Sequence, residues 1–367
     1  MKKILVVGAG KIGEMIAALL AGTGDYEVVV IDHSDAQLAK LPPREAVRTL
    51  RIDVTDEAAL AAAMAGTFAA VSAVPYDVTR HVAIAAGTAG VHYLDLTEDV
   101  ATTRLVKELA DGAAQAFIPQ CGLAPGFISI VAHDVAKHFD ELDAIRMRVG
   151  ALPKYPSNAL GYNLTWSTDG VINEYDEPCE AIVKGELRET SPLEELEHFA
   201  LDGVQYEAFN TSGGLGTLCE TLKGRVDTLN YKTIRYPGHR DVMKLLIQDL
   251  KLGQRRLLLK DVLEFSLPAT TQDVVLVFVT VSGRKNGRFL QESYARKIYS
   301  GVICGVEGTG IQITTAAGIC AVLDLLSDGT ISQRGFVRQE DIELDRFLAN
   351  RFGRAYSLVE AVKVQTG

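Results

Sequence analysis

Gly8-Ala9-Gly10-Lys11-Ile12-Gly13 follows the apolar run Ile4-Leu5-Val6-Val7 and leads into Gly13–Ala21, where apolar residues recur with the 3.6-residue period of a helix. A second apolar run, Val28–Ile31, ends in Asp32, nineteen residues after Gly13. A strand, a glycine turn, a helix and a second strand ending in an acid form the context in which a GxGxxG carries meaning. Gly8 allows the tight turn, Gly10 lets a pyrophosphate approach the backbone, and Gly13 lets helix and strand pack closely. Lys11 and Ile12 place their N–H groups in the first helical turn, where free donors and the helix dipole favour phosphate. Asp32 is suited to accept from adenosine ribose hydroxyls and to repel a 2′-phosphate. The residues after it, His33 and Ser34, supply no arginine. NAD is therefore expected over NADP.

Working outward, residues 1–120 alternate apolar runs (Ile4–Val7, Val28–Ile31, Leu50–Ile52, Ala70–Val74, Phe117–Ile118) with helical patterns (Gly13–Ala21, Glu57–Met64, Thr79–Ala89, Thr102–Ala116). Such alternation predicts a parallel sheet with right-handed crossovers. Ligands of open α/β sheets lie beyond the carboxyl ends of the strands, so Val74 and Pro75 are expected near the nicotinamide ribose, and Tyr76, Asp95 and Cys121 around one crevice. Asp53 is placed either to line an adenine pocket or, like Asp56, to cap a helix. After Gly122–Gly126 the chain changes character. Ala144–Val149, Asp273–Ser282 and Phe289–Ile298 read as strands, the last two joined by a hairpin turn at Gly283–Gly287. A long apolar helix near Gly310–Leu326 returns to the first sheet. The expected fold is α/β, a Rossmann-type doubly wound parallel sheet (1–125 and 308–367) with an inserted α+β domain (126–307) containing a mainly antiparallel sheet.

The length, 367 residues, suits two domains. Lys+Arg 37 against Asp+Glu 47 gives 37 − 47 = −10, which argues against nucleic acid or an anionic membrane as partner. No apolar run approaches the roughly 18–20 residues of a membrane helix, and Met1-Lys2-Lys3 precedes a strand rather than a signal peptide's apolar core. Five scattered cysteines (Cys121, Cys179, Cys219, Cys304, Cys320) without a CxxC pair fit a reducing cytoplasm and no disulfide framework. The histidines show no metal-ligand spacing, and no metal is expected. The inserted domain's sheet makes a homodimer the expected assembly.

The glycine motif, Val91-His92-Tyr93-Leu94-Asp95-Leu96, Cys121-Gly122-Leu123-Ala124-Pro125-Gly126 and the inserted β-rich domain together resemble the saccharopine dehydrogenase family over nearly the whole chain. Within it, Leu160–Gly170, Thr211–Thr217 and Tyr231–His239 resemble the members that oxidise the side-chain amine of L-lysine with NAD. Where glutamate-forming members carry an arginine after Trp-Ser, this chain reads Ser167-Thr168-Asp169-Gly170, which suits a smaller, cationic substrate. The resemblance implies that Asp95 holds or deprotonates the amine, although a loop-capping role fits the same residue. Tyr76 could donate a hydrogen bond and Cys121 could line the pocket, or both could simply pack. Arg235 and His239 are candidates for the substrate carboxylate, with Lys232 behind them, against surface-pair or capping roles. Trp166 could wall the substrate's methylenes or fill core. Gly214 lies in a loop permitting close backbone approach. Asp169, Glu174, Asp176, Glu177 and Glu180 read as a solvated face, with Asp169 the exception that could meet an amine.

An amine donor must lose its proton before hydride leaves the adjacent carbon, and a lysine amine's pKa is about 10.4, so a base or a desolvating pocket is required. The resulting imine hydrolyses to the semialdehyde. The expected partner is thus a small amino acid, with NAD as cofactor. Two other readings stand beside it: saccharopine dehydrogenase or a related carboxyalkylamine-forming reductase, and a dinucleotide-binding regulatory protein without turnover.

Overall fold

The computed structural model describes residues 1–303 and 305–357, and the chain divides into two compact units. Unit 1 comprises Met1–Ile130, Val302–Gly308 and Gln312–Ala355; unit 2 comprises Val131–Gly301 and Thr309–Ile311, together with Tyr356. The sequence reading set its junctions after residue 125 and at 308, and its return segment runs beyond the described residues from 358 onward.

In unit 1 the apolar runs become β1 (Lys2–Val7), β2 (Tyr26–Asp32), β3 (Val47–Arg51), β4 (Ala69–Ser72), β5 (His92–Leu94) and β6 (Ala116–Ile118). Between them run α1 (Lys11–Ala21), α2 (Asp35–Leu38), α3 (Glu57–Met64), α4 (Tyr76–Ala89) and α5 (Val100–Ala110), with α6 (Phe127–Ala136) following β6. Every pairing is parallel, in the order β6-β5-β4-β1-β2-β3, and a short strand Gly335–Phe336 adds to β6. The order reverses between β1 and β4, which opens a crevice at their carboxyl ends. Alternate residues Leu5, Val7, Val29 and Ile31 pack with Leu60, Met64, Val82, Ala86, Val106 and Ala110 from α3 to α5. α5 stops at Ala110, short of the expected Ala116, because Asp111-Gly112 intervenes with Gly112 at φ +69°.

Unit 2 carries β7 (Glu141–Pro153), α7 (Thr168–Asp176), β8 (Cys179–Val183), β9 (Glu186–Thr190), β10 (Glu197–Leu201), β11 (Val204–Asn210), α8 (Leu218–Leu222), β12 (Thr228–Arg235), α9 (His239–Lys244), α10 (Arg256–Ser266), β13 (Asp273–Lys285) and β14 (Arg288–Tyr299). The main sheet order is β10-β11-β12-β7-β13-β14, and β8 and β9 extend from β12. β12 and β7 are parallel and the other pairings antiparallel, so the sheet is mixed but mainly antiparallel. The expected five-residue turn shrinks to Asn286-Gly287, both at positive φ (+51° and +74°), the signature of a two-residue type I′ hairpin. Gly283 sits inside the strand instead. A Cβ there would lie 2.2 Å from the Glu141 oxygen, and the register shifts at Ser282/Gly283, so this glycine serves a bulge.

The helix α11 (Gly310–Ser327) is 18 residues long and apolar enough to cross a membrane by composition, contrary to the expectation that no such run exists. It is 72% buried inside the protein, as a core helix is. In unit 1 the Cys320 thiol approaches the Ile16 oxygen, and Asp324 accepts from the Tyr26 hydroxyl at 2.6 Å.

Candidate functional site

The glycine loop in unit 1 has the shape its sequence requires. Gly8 adopts φ +110°, and a Cβ there would stand 2.6 Å from the Ala73 oxygen at the end of β4. At Gly13 a Cβ would fall 1.9 Å from the Gly8 oxygen, so only glycine lets α1 pack on the loop. Gly10 differs: nothing lies within 4 Å of where its Cβ would be. It is the N-cap of α1 and supplies no side chain to the first-turn N–H groups, while Lys11 is exposed beside it. An open glycine on an uncapped helix end, with two neighbouring glycines closed by backbone, fits a dinucleotide pyrophosphate. Val74 packs beside the loop, its methyl 3.2 Å from the Gly8 Cβ position, and Pro75 caps α4.

Asp32 ends β2 and is tied to this loop. One carboxylate oxygen accepts from the Ala9 N–H at 2.9 Å and the other from the Ser34 N–H at 2.8 Å. His33 Nδ1 lies 3.3 Å from the Asp32 carboxylate, and an arginine is present after all. Arg51 of β3 is the register partner of Asp32; its Nε donates to the His33 oxygen at 3.0 Å and its Nη1 lies 3.3 Å from Asp35. Reading only the residues next in sequence missed it, because strand pairing rather than chain order brings it there. Asp53 accepts from the N–H and hydroxyl of Thr55, which hold its carboxyl below the usual range; Asp56 is the residue that caps α3.

The three residues expected around the crevice are not alike. Tyr76, in the first turn of α4, is half exposed. Asp95 is 0% exposed. Its Oδ1 accepts from the Thr97 and Gln120 N–H groups at 3.0 and 2.8 Å, and its Oδ2 from the Tyr93 hydroxyl at 2.9 Å. Burial still outweighs these three donors and pushes the carboxyl up to about 6. Cys121 is buried too; its N–H donates to the Asp95 oxygen at 2.8 Å, and Gln339 Nε2 lies 3.3 Å from its sulfur. Burial, with the Asp95 charge adding, keeps the thiol well above its ordinary pKa. Asp95 thus fastens the loops after β5 and β6 from inside. Gln339 stood outside the sequence reading, since nothing in its local sequence marks it.

Unit 2 brings Arg235 and His239 together, as expected, but inside a closed cluster rather than at a surface. Arg235 is 2% exposed; its Nε donates to the Tyr175 hydroxyl at 2.8 Å and its Nη1 to the Ile234 oxygen. Glu174 lies 3.9 Å from its Nη2, and the rings of Tyr162 and Tyr175 flank the guanidinium. His239 bridges the Tyr175 hydroxyl (3.0 Å) and the Leu160 oxygen (3.1 Å). Burial, with the Arg235 charge adding, drives its pKa down to about 3, so the ring is neutral. Glu174, read as part of a solvated face, is buried, and burial raises its pKa against the pull of Arg235. The signal for this was the helical spacing of Thr168, Val171, Ile172 and Tyr175, which turns that side of α7 inward.

Asp169 is 58% exposed and bonds Lys260 at 2.5 Å, which offsets its charge. The Trp166 ring lies against Gly170 and the Tyr231 ring against Gly214, where a Cβ would meet ring atoms at 2.3 Å in each case. These two glycines serve ring packing. Lys232 is buried, donating to the Glu195 oxygen at 2.6 Å, and Arg148 forms a two-pronged pair with Glu197 at 2.5 and 3.2 Å. Among the described residues no group of three or more His, Cys, Asp or Glu is placed to hold a metal ion. Cys121, Cys179, Cys219 and Cys320 are buried and form no disulfide; Cys304 lies outside the described residues.

Sheet order, glycine geometry and the acid at the end of β2 define a dinucleotide-binding α/β protein with a second, mainly antiparallel unit. Comparison with known proteins gives the family. Residues 4–117 match the saccharopine dehydrogenase NADP binding domain and residues 122–352 the saccharopine dehydrogenase C-terminal domain. The chain belongs to the saccharopine dehydrogenase family. The saccharopine dehydrogenase (NADP+, L-glutamate-forming) of Saccharomyces cerevisiae is 24% identical over 262 residues, 67% of this chain and 57% of that protein. The mitochondrial alpha-aminoadipic semialdehyde synthase of Rattus norvegicus is 23% identical over 193 residues, 51% of this chain and 21% of that protein. The chain therefore spans little more than half the first relative and about a fifth of the second. Among solved structures, the apo saccharopine dehydrogenase (L-Glu forming) of S. cerevisiae superposes with a TM-score of 0.78 at 17% identity, covering 97% of this chain and 96% of that one. The homospermidine synthase of Legionella pneumophila in complex with NAD gives 0.66 at 12% identity, covering 97% and 89%. These likenesses establish the shared fold.

Proposed function

We propose that this chain is an oxidoreductase of its family that acts on the carbon–nitrogen bond of an amino acid, with NAD as preferred cofactor and the side-chain amine of L-lysine as substrate. The products are ammonia and 2-aminoadipate 6-semialdehyde or its cyclic imine. The observation that carries the reading is the glycine loop: Gly8 and Gly13 closed by backbone, Gly10 open, Asp32 fixed at the adenosine end. When bound, the dinucleotide supplies the hydride acceptor. The chain's own part is to hold it. The α1 N–H groups receive the pyrophosphate, and Asp32 keeps lone pairs for ribose hydroxyls after accepting from Ala9 and Ser34.

Of the three crevice residues, half-exposed Tyr76 is the one a ligand can reach, while Asp95 acts by positioning the segments around Gln120 and Cys121. A pocket that desolvates the ammonium lowers its pKa without a touching base. Lysine over a glutamate-bearing substrate is supported by Ser167-Thr168-Asp169-Gly170, which offers no arginine for a second carboxylate. The second reading, oxidation of a saccharopine-type secondary amine, is favoured by what the yeast relative is named for. The assembly kept in this reading is a homodimer, in the cytoplasm, on the sheet and cysteine arguments above.

The test is reduction of NAD or NADP by purified protein, followed at the reduced-nicotinamide absorbance with lysine, ornithine and saccharopine in turn. Lysine with NAD should give the signal. Saccharopine alone giving it would replace the first reading by the second. Dinucleotide binding without turnover on any amine would leave a regulatory protein.

A further inference from the structure

The helix α10 is apolar on two sides. Leu259 and Leu263 are buried and pack with Tyr175, Met243 and Ile247 in the core of unit 2. On another side Leu257 is 84% exposed and Phe265 91%, with Leu258 and Val262 partly exposed beside them. Leu257 and Phe265 stand in one row of the helix surface, Leu258 and Val262 in the next, so the four form a single stripe. One exposed apolar side chain is ordinary, whereas a stripe of four on one helix marks a surface that something covers. The charges around the stripe run against the helix's own dipole. Lys251 and Arg255 precede the first turn, Arg256 opens it without an acid, and the last turn holds Glu264 without a base. Among the described residues the side chains of Lys251, Arg255 and Asp261 have no hydrogen bond or ion pair. A basic start and an acidic end do nothing for the helix that carries them, and each is what an antiparallel copy needs.

We infer that this stripe is a two-fold interface with a second copy of the chain, α10 packing antiparallel on the partner's α10. The inference rests on the homodimer of the reading above and gives it a face. The sheet of unit 2 is a poorer candidate, since β13 is buried along nearly its whole length and both sheet faces are therefore covered there. A two-fold through Leu258 sets Arg255 of one chain level with the partner's Asp261, each three residues from the axis. It also brings the basic start of each helix to the acidic end of the other and opposes the two dipoles. Two chains of net charge −10 repel over most of their surface. Here Lys251 and Arg255 balance Asp261 and Glu264, so the stripe is locally neutral and complementary to itself.

Sedimentation velocity of the full chain tests this. Wild-type protein should run at twice the mass of one chain. Leu257→Asp and Phe265→Asp should each raise the dimer dissociation constant at least about tenfold, as loss of a central apolar anchor does. Both side chains are exposed in the single chain, so unchanged circular dichroism would show that the variants are folded. Asp261→Arg, which sets like charge against the partner's Arg255, should weaken the dimer severalfold, and adding Arg255→Asp should restore it. Leu258→Cys, at the axis, should form a disulfide with its own copy under mild oxidation, while Phe289→Cys on the edge strand β14 should not. A dimer that survives the Leu257 and Phe265 changes, or that crosslinks through Phe289→Cys and not Leu258→Cys, would overturn this face and leave the homodimer standing. Wild-type protein that sediments as a monomer at every concentration would remove the homodimer itself, and co-sedimentation of that monomer with phosphatidylcholine vesicles would give the stripe to a lipid surface instead.

Discussion

Asp95 offers the sharpest test of how the centre of unit 1 is built. Its carboxyl titrates near 6 in the folded protein against 3.8 for an ordinary aspartate, because burial costs the anion more than its three donors return. The sign follows from proton binding. Between those two pH values the folded chain holds a proton that the unfolded chain has released, so stability falls as pH rises through the window. At ~1.4 kcal/mol per pH unit the whole difference is about 3 kcal/mol, fully present below pH 3.8 and lost above about 6. Asp95→Asn removes the ionisation while keeping the geometry. Its Oδ1 still accepts from Thr97 and Gln120, and its amide faces a Tyr93 hydroxyl able to accept.

The expected outcome is a variant whose stability relative to wild type improves by about 2 kcal/mol between pH 4.5 and 6.5 and then stays level. Urea titrations followed by circular dichroism at steps across that range would measure it, with hydrogen exchange at the Thr97 and Gln120 amides as a local readout. Asp95→Ala is the contrast. It leaves two buried N–H groups and a hydroxyl without acceptors and should cost ~3–5 kcal/mol at every pH. Parallel stability profiles for wild type and Asp95→Asn would refute the claim that burial, rather than a strong ion pair, governs this carboxyl.

Gly13→Ala should destabilise unit 1 by several kcal/mol and abolish dinucleotide binding, whereas Gly10→Ala, with open space around it, should melt as wild type does yet weaken NAD at least tenfold by calorimetry. The His239 ring, neutral down to about pH 3, should show no titration of its NMR signals between pH 5 and 8; a midpoint near 6.5 would contradict its enclosure. Arg235→Ala should cost ~3–5 kcal/mol by leaving Glu174 buried without its countercharge, and adding Glu174→Gln should recover part of that loss in a double-mutant cycle. Strict additivity of the two changes would mean that Glu174 and Arg235 do not interact.

What could be read from the chain followed short-range physics. The strand–glycine–helix unit, the α3 cap and the pairing of β13 with β14 each depend on residues within one or two elements, and each formed, whereas the expected alternation along β13 did not, since that strand is buried on both faces. Gly283 shows the limit of that reading. A glycine beside a turn marks the turn or a close strand approach equally well, and only the Glu141 backbone lying 2.2 Å from its Cβ position decides for the latter. Arg51 was invisible for the complementary reason. Its meaning comes from pairing with Asp32 across β2 and β3, and the alternation of β3, an edge strand with mostly exposed residues, carries no hydrophobic signal that fixes register. Glu174 was misjudged because a run of acids looks solvated until the apolar face of its helix is counted.

The Arg235-Tyr236-Pro237-Gly238-His239 stretch shows how a corner motif places its polar side chains in an internal hydrogen-bond cluster. Gly238 takes φ +97°, which turns the chain from β12 into α9, and a corner of that kind exposes backbone N–H groups that need acceptors. Glu207 meets them, accepting from Gly238 at 2.8 Å and Arg240 at 2.7 Å. Arg235 and His239 then close on the same Tyr175 hydroxyl from the two sides of the turn, one donating to it and the other bonding it through Nε2. A charged guanidinium and a neutral imidazole sharing one phenol is stable only because Glu174 balances the charge and burial keeps the imidazole unprotonated. The cluster thus ties β12, α7 and α9 together inside unit 2.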